Sequence, residues 1–264
     1  MPFVQANGVK IYYELHGQGE PLVLIAGLGC DHTLWSEVID SLSRQFQILI
    51  FDNRAVGQSE GYGHPFSIQE LAEDTAALMT VVGFQKAHVL GHSMGGAIAQ
   101  YMALNYAERV QKLMICCSAS RFGLLAHIVL NTAVKFMQAN VPIDLCIENM
   151  LPWVFSGDYL ADAKKRKSAM DRMLNNPHPQ LLDGFVNQVA SAMAFDVVSR
   201  LSEIRLPTMV MATEQDILTP IEDARLTASG IKDARLVIIR DSGHSVMLEK
   251  PQEFVKEIVS FLAV

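Results

Sequence analysis

The segment Ala87 to Gln100, AHVLGHSMGGAIAQ, restricts the possible folds more than any other stretch of the chain. An apolar run of strand length meets a helical pattern across Gly91-His92-Ser93-Met94-Gly95, so the backbone must reverse from strand to helix within one tight turn. Glycine is needed at both ends because the two arms approach where a Cβ would collide. Ser93 is then left at the tip, strained and with its hydroxyl exposed. Chance accounts poorly for this: with 17 serines and 17 glycines among 264 residues, about 0.07 such pentapeptides would arise at random, before the strand and helix are required.

The rest of the chain repeats the strand-helix rhythm. Apolar runs of strand length occur at Val9 to Leu15, Leu22 to Ala26, Gln47 to Phe51, His88 to Leu90, Leu113 to Cys117, Thr208 to Ala212 and Arg235 to Ile239. The first alternates (Val9, Ile11, Tyr13, Leu15) and reads as an antiparallel edge strand. The later ones are continuously apolar, as strands buried on both faces of a parallel sheet are. Ser67 with Glu70 forms a capping box for a helix ending at Gly83, and Thr219-Pro220 and Pro251 open two more. The order predicts an α/β fold with a doubly wound, mostly parallel sheet. Residues 121–200 break the rhythm with helical patterns and no strand. We expect a core of residues 1–120 and 201–264, with 121–200 as a helical cap over the C-terminal edge of the sheet, where loops form ligand sites.

Composition removes several classes of function. Half the residues are hydrophobic and the net charge is −7, which excludes disorder and coiled coil and leaves no basic field for nucleic acid. The basic run Lys164 to Lys167 reads as a solvated helix face. Ala87 to Ala107 is uncharged over a length that could span a bilayer, but its glycines split it into strand and helix, so no membrane span is expected. Cys30, Cys116, Cys117 and Cys146 show no CxxC spacing, and the N-terminus has no signal-peptide pattern. Both point to a reducing, cytoplasmic setting.

A serine hydroxyl needs a base, and the base needs an orienting carboxylate. His244, in the turn Asp241-Ser242-Gly243-His244-Ser245 between the last strand and last helix, belongs to the same sheet edge as Ser93. Asp216 follows the TMVMA strand and is favoured as the acid over Glu214 and Asp241. The backbone N–H groups of Met94 and Leu28 are the expected oxyanion donors, the second from the loop Gly27-Leu28-Gly29-Cys30. Expected pocket residues are Gly27, His32, Phe122, Leu125, Trp153, Ile217 and Val246. The apolar residues of the insertion could equally form its own core.

GHSMGG, FDNRAVGQSE, TEQDILTP and DSGHSVMLEKPQEF together resemble the α/β-hydrolase fold family, in its branch with a helical cap. The resemblance covers essentially the full length and implies Ser93 as nucleophile, Asp216 as acid and His244 as base. It implies a carboxylesterase or enol-lactone hydrolase type of activity on a small or medium acyl ester or lactone, with no cofactor and no metal. A ligand-sensing role, carbon-carbon bond hydrolysis and acyl transfer remain alternatives, and the oligomeric state stays open between monomer and homodimer. Two departures stand out. The family often has His-Gly where this chain has Ala26-Gly27, and usually Gly where it has Ala55.

Overall fold

The computed structural model describes residues 2–263. Eight strands form one sheet: β1 (Phe3–Ala6), β2 (Val9–His16), β3 (Glu20–Ile25), β4 (Phe46–Phe51), β5 (Ala87–His92), β6 (Val110–Cys116), β7 (Thr208–Thr213) and β8 (Arg235–Ile239). Their order is β1-β2-β4-β3-β5-β6-β7-β8. Pairing is antiparallel from β1 to β2 and from β2 to β4, and parallel everywhere else.

The expected edge strand is therefore corrected. β2 pairs on both sides, and the edge belongs to β1, which reading for hydrophobic runs passed over. FVQA is four residues long and mostly half-exposed, too short for alternation to register.

The helices are α1 (Ile39–Leu42), α2 (Ile68–Val81), α3 (Met94–Asn105), α4 (Leu124–Gln138), α5 (Ile143–Val154), α6 (Gly157–Ala161), α7 (Ala163–Leu174), α8 (Leu182–Ala194), α9 (Ile221–Gly230), α10 (Val246–Glu249) and α11 (Pro251–Leu262). Strand residues alternate between two apolar clusters. Val23, Ile25, Val89 and Val210 meet Leu71 and Leu78 of α2, Ile98 of α3 and Ala224 of α9. Leu22, Leu24, Leu90 and Met209 meet Trp35, Leu42 of α1 and Phe254, Ile258 and Leu262 of α11 on the other face. Helices thus cover both faces, which a buried parallel sheet requires.

Helices α4 to α8 lie between β6 and β7, and among them Ile147, Leu151, Phe155 and Ala169 form a small core of their own. The inner faces of α4 and α8 also join the main core through Ala126, Val129 and Ala192. Hydrogen bonds fasten this insertion to loops beyond the C-terminal ends of three strands. Gly29 N–H donates to Gln188 after β3, Gln180 donates to the Ala55 carbonyl after β4, and Ser245 N–H donates to the Val154 carbonyl after β8.

Lys164 to Lys167 are exposed on α7, as a solvated face would be. No helix among the described residues is long and apolar enough to cross a membrane.

Candidate active site

Ser93 links β5 to α3 with φ +55°, a left-handed value that a non-glycine residue holds only when its surroundings fix it. The surroundings do so. Its N–H donates to the Cys116 carbonyl at 2.9 Å, and its own carbonyl accepts the Gly96 N–H at 2.8 Å and the Ser118 hydroxyl at 2.6 Å. A Cβ on Gly91 would strike the Gly95 carbonyl, and one on Gly95 would strike the Ile25 carbonyl of β3, so both glycines are steric necessities. Met94 opens α3, which leaves its N–H among the first-turn donors without an intrahelical partner.

His244 and Asp216 meet across the ends of β8 and β7. His244 Nδ1 lies 2.8 Å from Asp216 Oδ2, with both residues buried. The carboxylate accepts three further bonds: Leu218 N–H and Thr219 N–H at 2.9 Å to Oδ1, and the Thr219 hydroxyl at 2.7 Å to Oδ2. Burial alone would raise the Asp216 pKa. The His244 partner and the Thr219 donors outweigh it and hold the carboxyl below the ordinary carboxylate range. The rival acids stand apart from the imidazole, since Glu214 is exposed and accepts from the N–H of Asp241, itself exposed. The acid and histidine loops are also tied to each other, by Gln215 N–H to the Ser242 carbonyl and the Thr213 hydroxyl to the Gly243 carbonyl.

His92, next to Ser93 in the chain, is fully buried. Its Nε2–H donates to the His244 carbonyl at 3.0 Å, and the two rings stand 4.8 Å apart. Burial, then repulsion from His244, pushes its pKa down to about 3, so the ring is neutral at ordinary pH.

The loop after β3 keeps its shape without the family's usual histidine. Asn53 donates to the Ala26 carbonyl at 3.1 Å, Cys30 N–H to the Gly27 carbonyl, and Gly29 N–H to Gln188 of α8. Gly27 packs directly on Ser93, where an added Cβ would stand 3.0 Å from the serine Cβ, and half-buried Leu28 follows it. Ala55 takes φ +59°, the conformation for which the family's glycine is suited.

The expected pocket lining is only partly brought together. His32 follows the loop after β3 and turns to the β4 end, where Nδ1 meets Asp52 at 2.7 Å and Nε2 faces Glu14 at 3.6 Å, so its ring is engaged in a polar network. Val246 is fully buried in the second core cluster. Phe122 stands tilted against Phe195, with ring centroids 6.4 Å apart, and lines a cavity of about 320 Å³ with Arg121, Leu124, His127 and Met193. Leu125 and Ile217 are roughly half exposed, and Trp153 packs against the main core. Phe155 belongs to the insertion's own core.

Sequence reading missed Thr219, Ser118, Gln188 and Glu249. Thr219 precedes a proline and reads as a helix cap, but in the fold Pro220 precedes α9 and the threonine hydroxyl serves Asp216.

The family described as alpha/beta hydrolase fold matches residues 20–251. The chain belongs to the α/β-hydrolase fold family. Among its relatives is the "Putative carbamate hydrolase RutD" of Azorhizobium caulinodans, 28% identical over 263 residues, covering 99% of this chain and 98% of that one. The enol-lactonase from Burkholderia xenovorans LB400 superposes with a TM-score of 0.88 at 25% identity, over 100% of both chains. Est816, an N-acyl homoserine lactone degrading enzyme, does so with 0.84 at 26% identity, over 98% of this chain and 100% of that one. These likenesses support a hydrolase built on this α/β-hydrolase fold.

Proposed function

We propose that the protein is a serine hydrolase that cleaves a small or medium acyl ester or lactone through an acyl-enzyme at Ser93. The observation that carries this reading is the His244 Nδ1 to Asp216 Oδ2 bond of 2.8 Å, with the His244 ring 4.8 Å from that of His92, the residue preceding a serine held at φ +55°. With Nδ1–H donated to Asp216, His244 keeps Nε2 as the lone-pair nitrogen that takes the Ser93 proton. Ser93 Oγ then bonds to the substrate carbonyl carbon, and the N–H groups of Leu28 and Met94 receive the oxyanion. His244 returns its proton to the departing alcohol oxygen. Water repeats the sequence on the acyl-enzyme, releasing the acid and restoring the serine. Residues 121–200 act as the cap, with Phe122, Leu125, Trp153 and Ile217 bounding the acyl site. The four free cysteines support a cytoplasmic address.

The name of the RutD relative favours a second substrate class, carbamates, which present the same carbonyl with nitrogen on one side. The test is steady-state hydrolysis of p-nitrophenyl esters from acetyl to dodecanoyl, with an N-alkyl carbamate and a simple γ-lactone in parallel, by wild type and Ser93→Ala. The serine variant is expected to lose on the order of 10⁴-fold or more in kcat/KM. Equal rates for the two proteins would reject Ser93 as the nucleophile.

A further inference from the structure

The loop that carries His244 is held on both flanks by the insertion. On one side Ser245 N–H donates to the Val154 carbonyl at 2.9 Å. On the other, Gly243 N–H donates to Glu249 Oε1 at 3.0 Å, and the same carboxylate accepts the Ser156 N–H at 3.2 Å and the Ser156 hydroxyl. Ser156 is the N-cap of α6, so Glu249, at the end of α10, joins the cap helices to the residue preceding His244. Contact is close enough that a Cβ on Gly243 would collide with the Phe155–Ser156 backbone.

We infer that Glu249 is a positioning residue for His244: by accepting from Gly243 and Ser156 together, it sets the imidazole on Asp216 only when the insertion is seated. This rests on the proposed serine-hydrolase reading for its catalytic consequence, but not for its geometry. A half-buried carboxylate that only tethered a loop could be replaced by a solvated side chain. Glu249 instead spends its acceptor capacity on two backbone N–H groups and a hydroxyl belonging to different elements. Burial raises its pKa, with the Ser156 and Gly243 donors opposing. Nearby charged and titratable groups are Lys250 next in the chain and Tyr159 on α6, with Arg172 and Glu37 beyond that phenol.

Glu249→Gln keeps the size but replaces one acceptor oxygen by an NH2, which cannot accept from the Gly243 or Ser156 N–H, so one end of the brace is lost. Two readouts separate positioning from mere scaffolding. The first compares kcat/KM for the methyl and p-nitrophenyl esters of one acyl chain. Methanol leaves only if His244 protonates it, whereas p-nitrophenolate leaves unaided. A displaced imidazole costs the methyl ester on the order of 10²-fold and the p-nitrophenyl ester several-fold less. Loss of folded protein would lower both equally. The second is the low-field proton NMR signal of His244 Nδ1–H in its bond to Asp216, assigned by its absence in His244→Ala and expected to broaden or vanish in Glu249→Gln.

Selective loss on the methyl ester together with a perturbed signal supports the inference. A folded Glu249→Gln protein with an unchanged signal, or with equal losses on the two esters, overturns it. If wild type hydrolyses no ester, the ester reading fails and the proton signal alone decides the positioning role. If Glu249→Gln does not fold, Ser156→Ala, which removes one donor and leaves the carboxylate, is judged by the same two criteria.

Discussion

His92 makes acid a destabilising condition for this fold. Its folded pKa of about 3 lies below the ordinary histidine value of 6.5, so as pH falls the unfolded chain takes up the proton first. Stability contributed by the neutral ring is complete above about 6.5 and declines toward 3, with a limiting slope of about 1.4 kcal/mol per pH unit for one proton. Asp216 acts in the same direction but lower. Its depressed pKa contributes stability above the ordinary carboxylate value of 3.8, which is lost as pH falls through the folded one. The expected outcome is a fall in unfolding free energy, by urea titration, between pH 7 and pH 5. In His92→Gln, whose amide N–H can still donate to the His244 carbonyl, the fall is expected to be shallower. His88, with a pKa lowered by burial, contributes to both proteins and cancels in the comparison. Identical slopes would mean that His92 takes up its proton as readily in the folded state as in the unfolded chain.

At the scale of elements, α2 shows the clearest local determination. The Ser67 hydroxyl accepts the Glu70 N–H at 3.2 Å, and the Glu70 carboxylate accepts the Ser67 N–H at 2.9 Å, so two orphan donors of the first turn are satisfied reciprocally. Ser67→Ala is expected to cost about 1 kcal/mol, read by calorimetry as a melting temperature lower by roughly 2–4 °C for a chain of this size. No measurable drop would show that α2 is held by Leu71 and Leu78 alone. This helix was legible because its signal is local, and the same holds for the buried strands and for the elbow, where Gly91, Ser93 and Gly95 sit within one turn. What escaped depends on distance along the chain. Thr219 serves an acid three residues before it but gains meaning only through His244, His32 is claimed by Asp52 twenty residues later, and Glu249 acts on Ser156 in a different layer. Such pairings follow from topology, which a single sequence does not print.

At the scale of the molecule, stability is unevenly spread between the sheet and the insertion. Every residue of β5 and β7 is buried, and these strands contribute side chains to both apolar clusters. In α7 only Ala169 is buried, the four basic residues Lys164 to Lys167 face solvent, and the helix carries two exposed ion pairs, Lys167 to Asp171 and Arg172 to Glu37. Such pairs add about 0–1 kcal/mol, so α7 depends on the small core of Ile147, Leu151, Phe155 and Ala169. Regions with few buried contacts open at free energies well below that of global unfolding. Hydrogen exchange followed by mass spectrometry is therefore expected to find the α7 amides exchanging at least about 10²-fold faster than those of β5. Because Ser245 and Gly243 are fastened to Val154 and Glu249, the His244 loop is expected to show exchange between these limits. Protection of α7 equal to that of β5 would mean that insertion and sheet open only together, which would remove the independent movement that a cap admitting substrate requires.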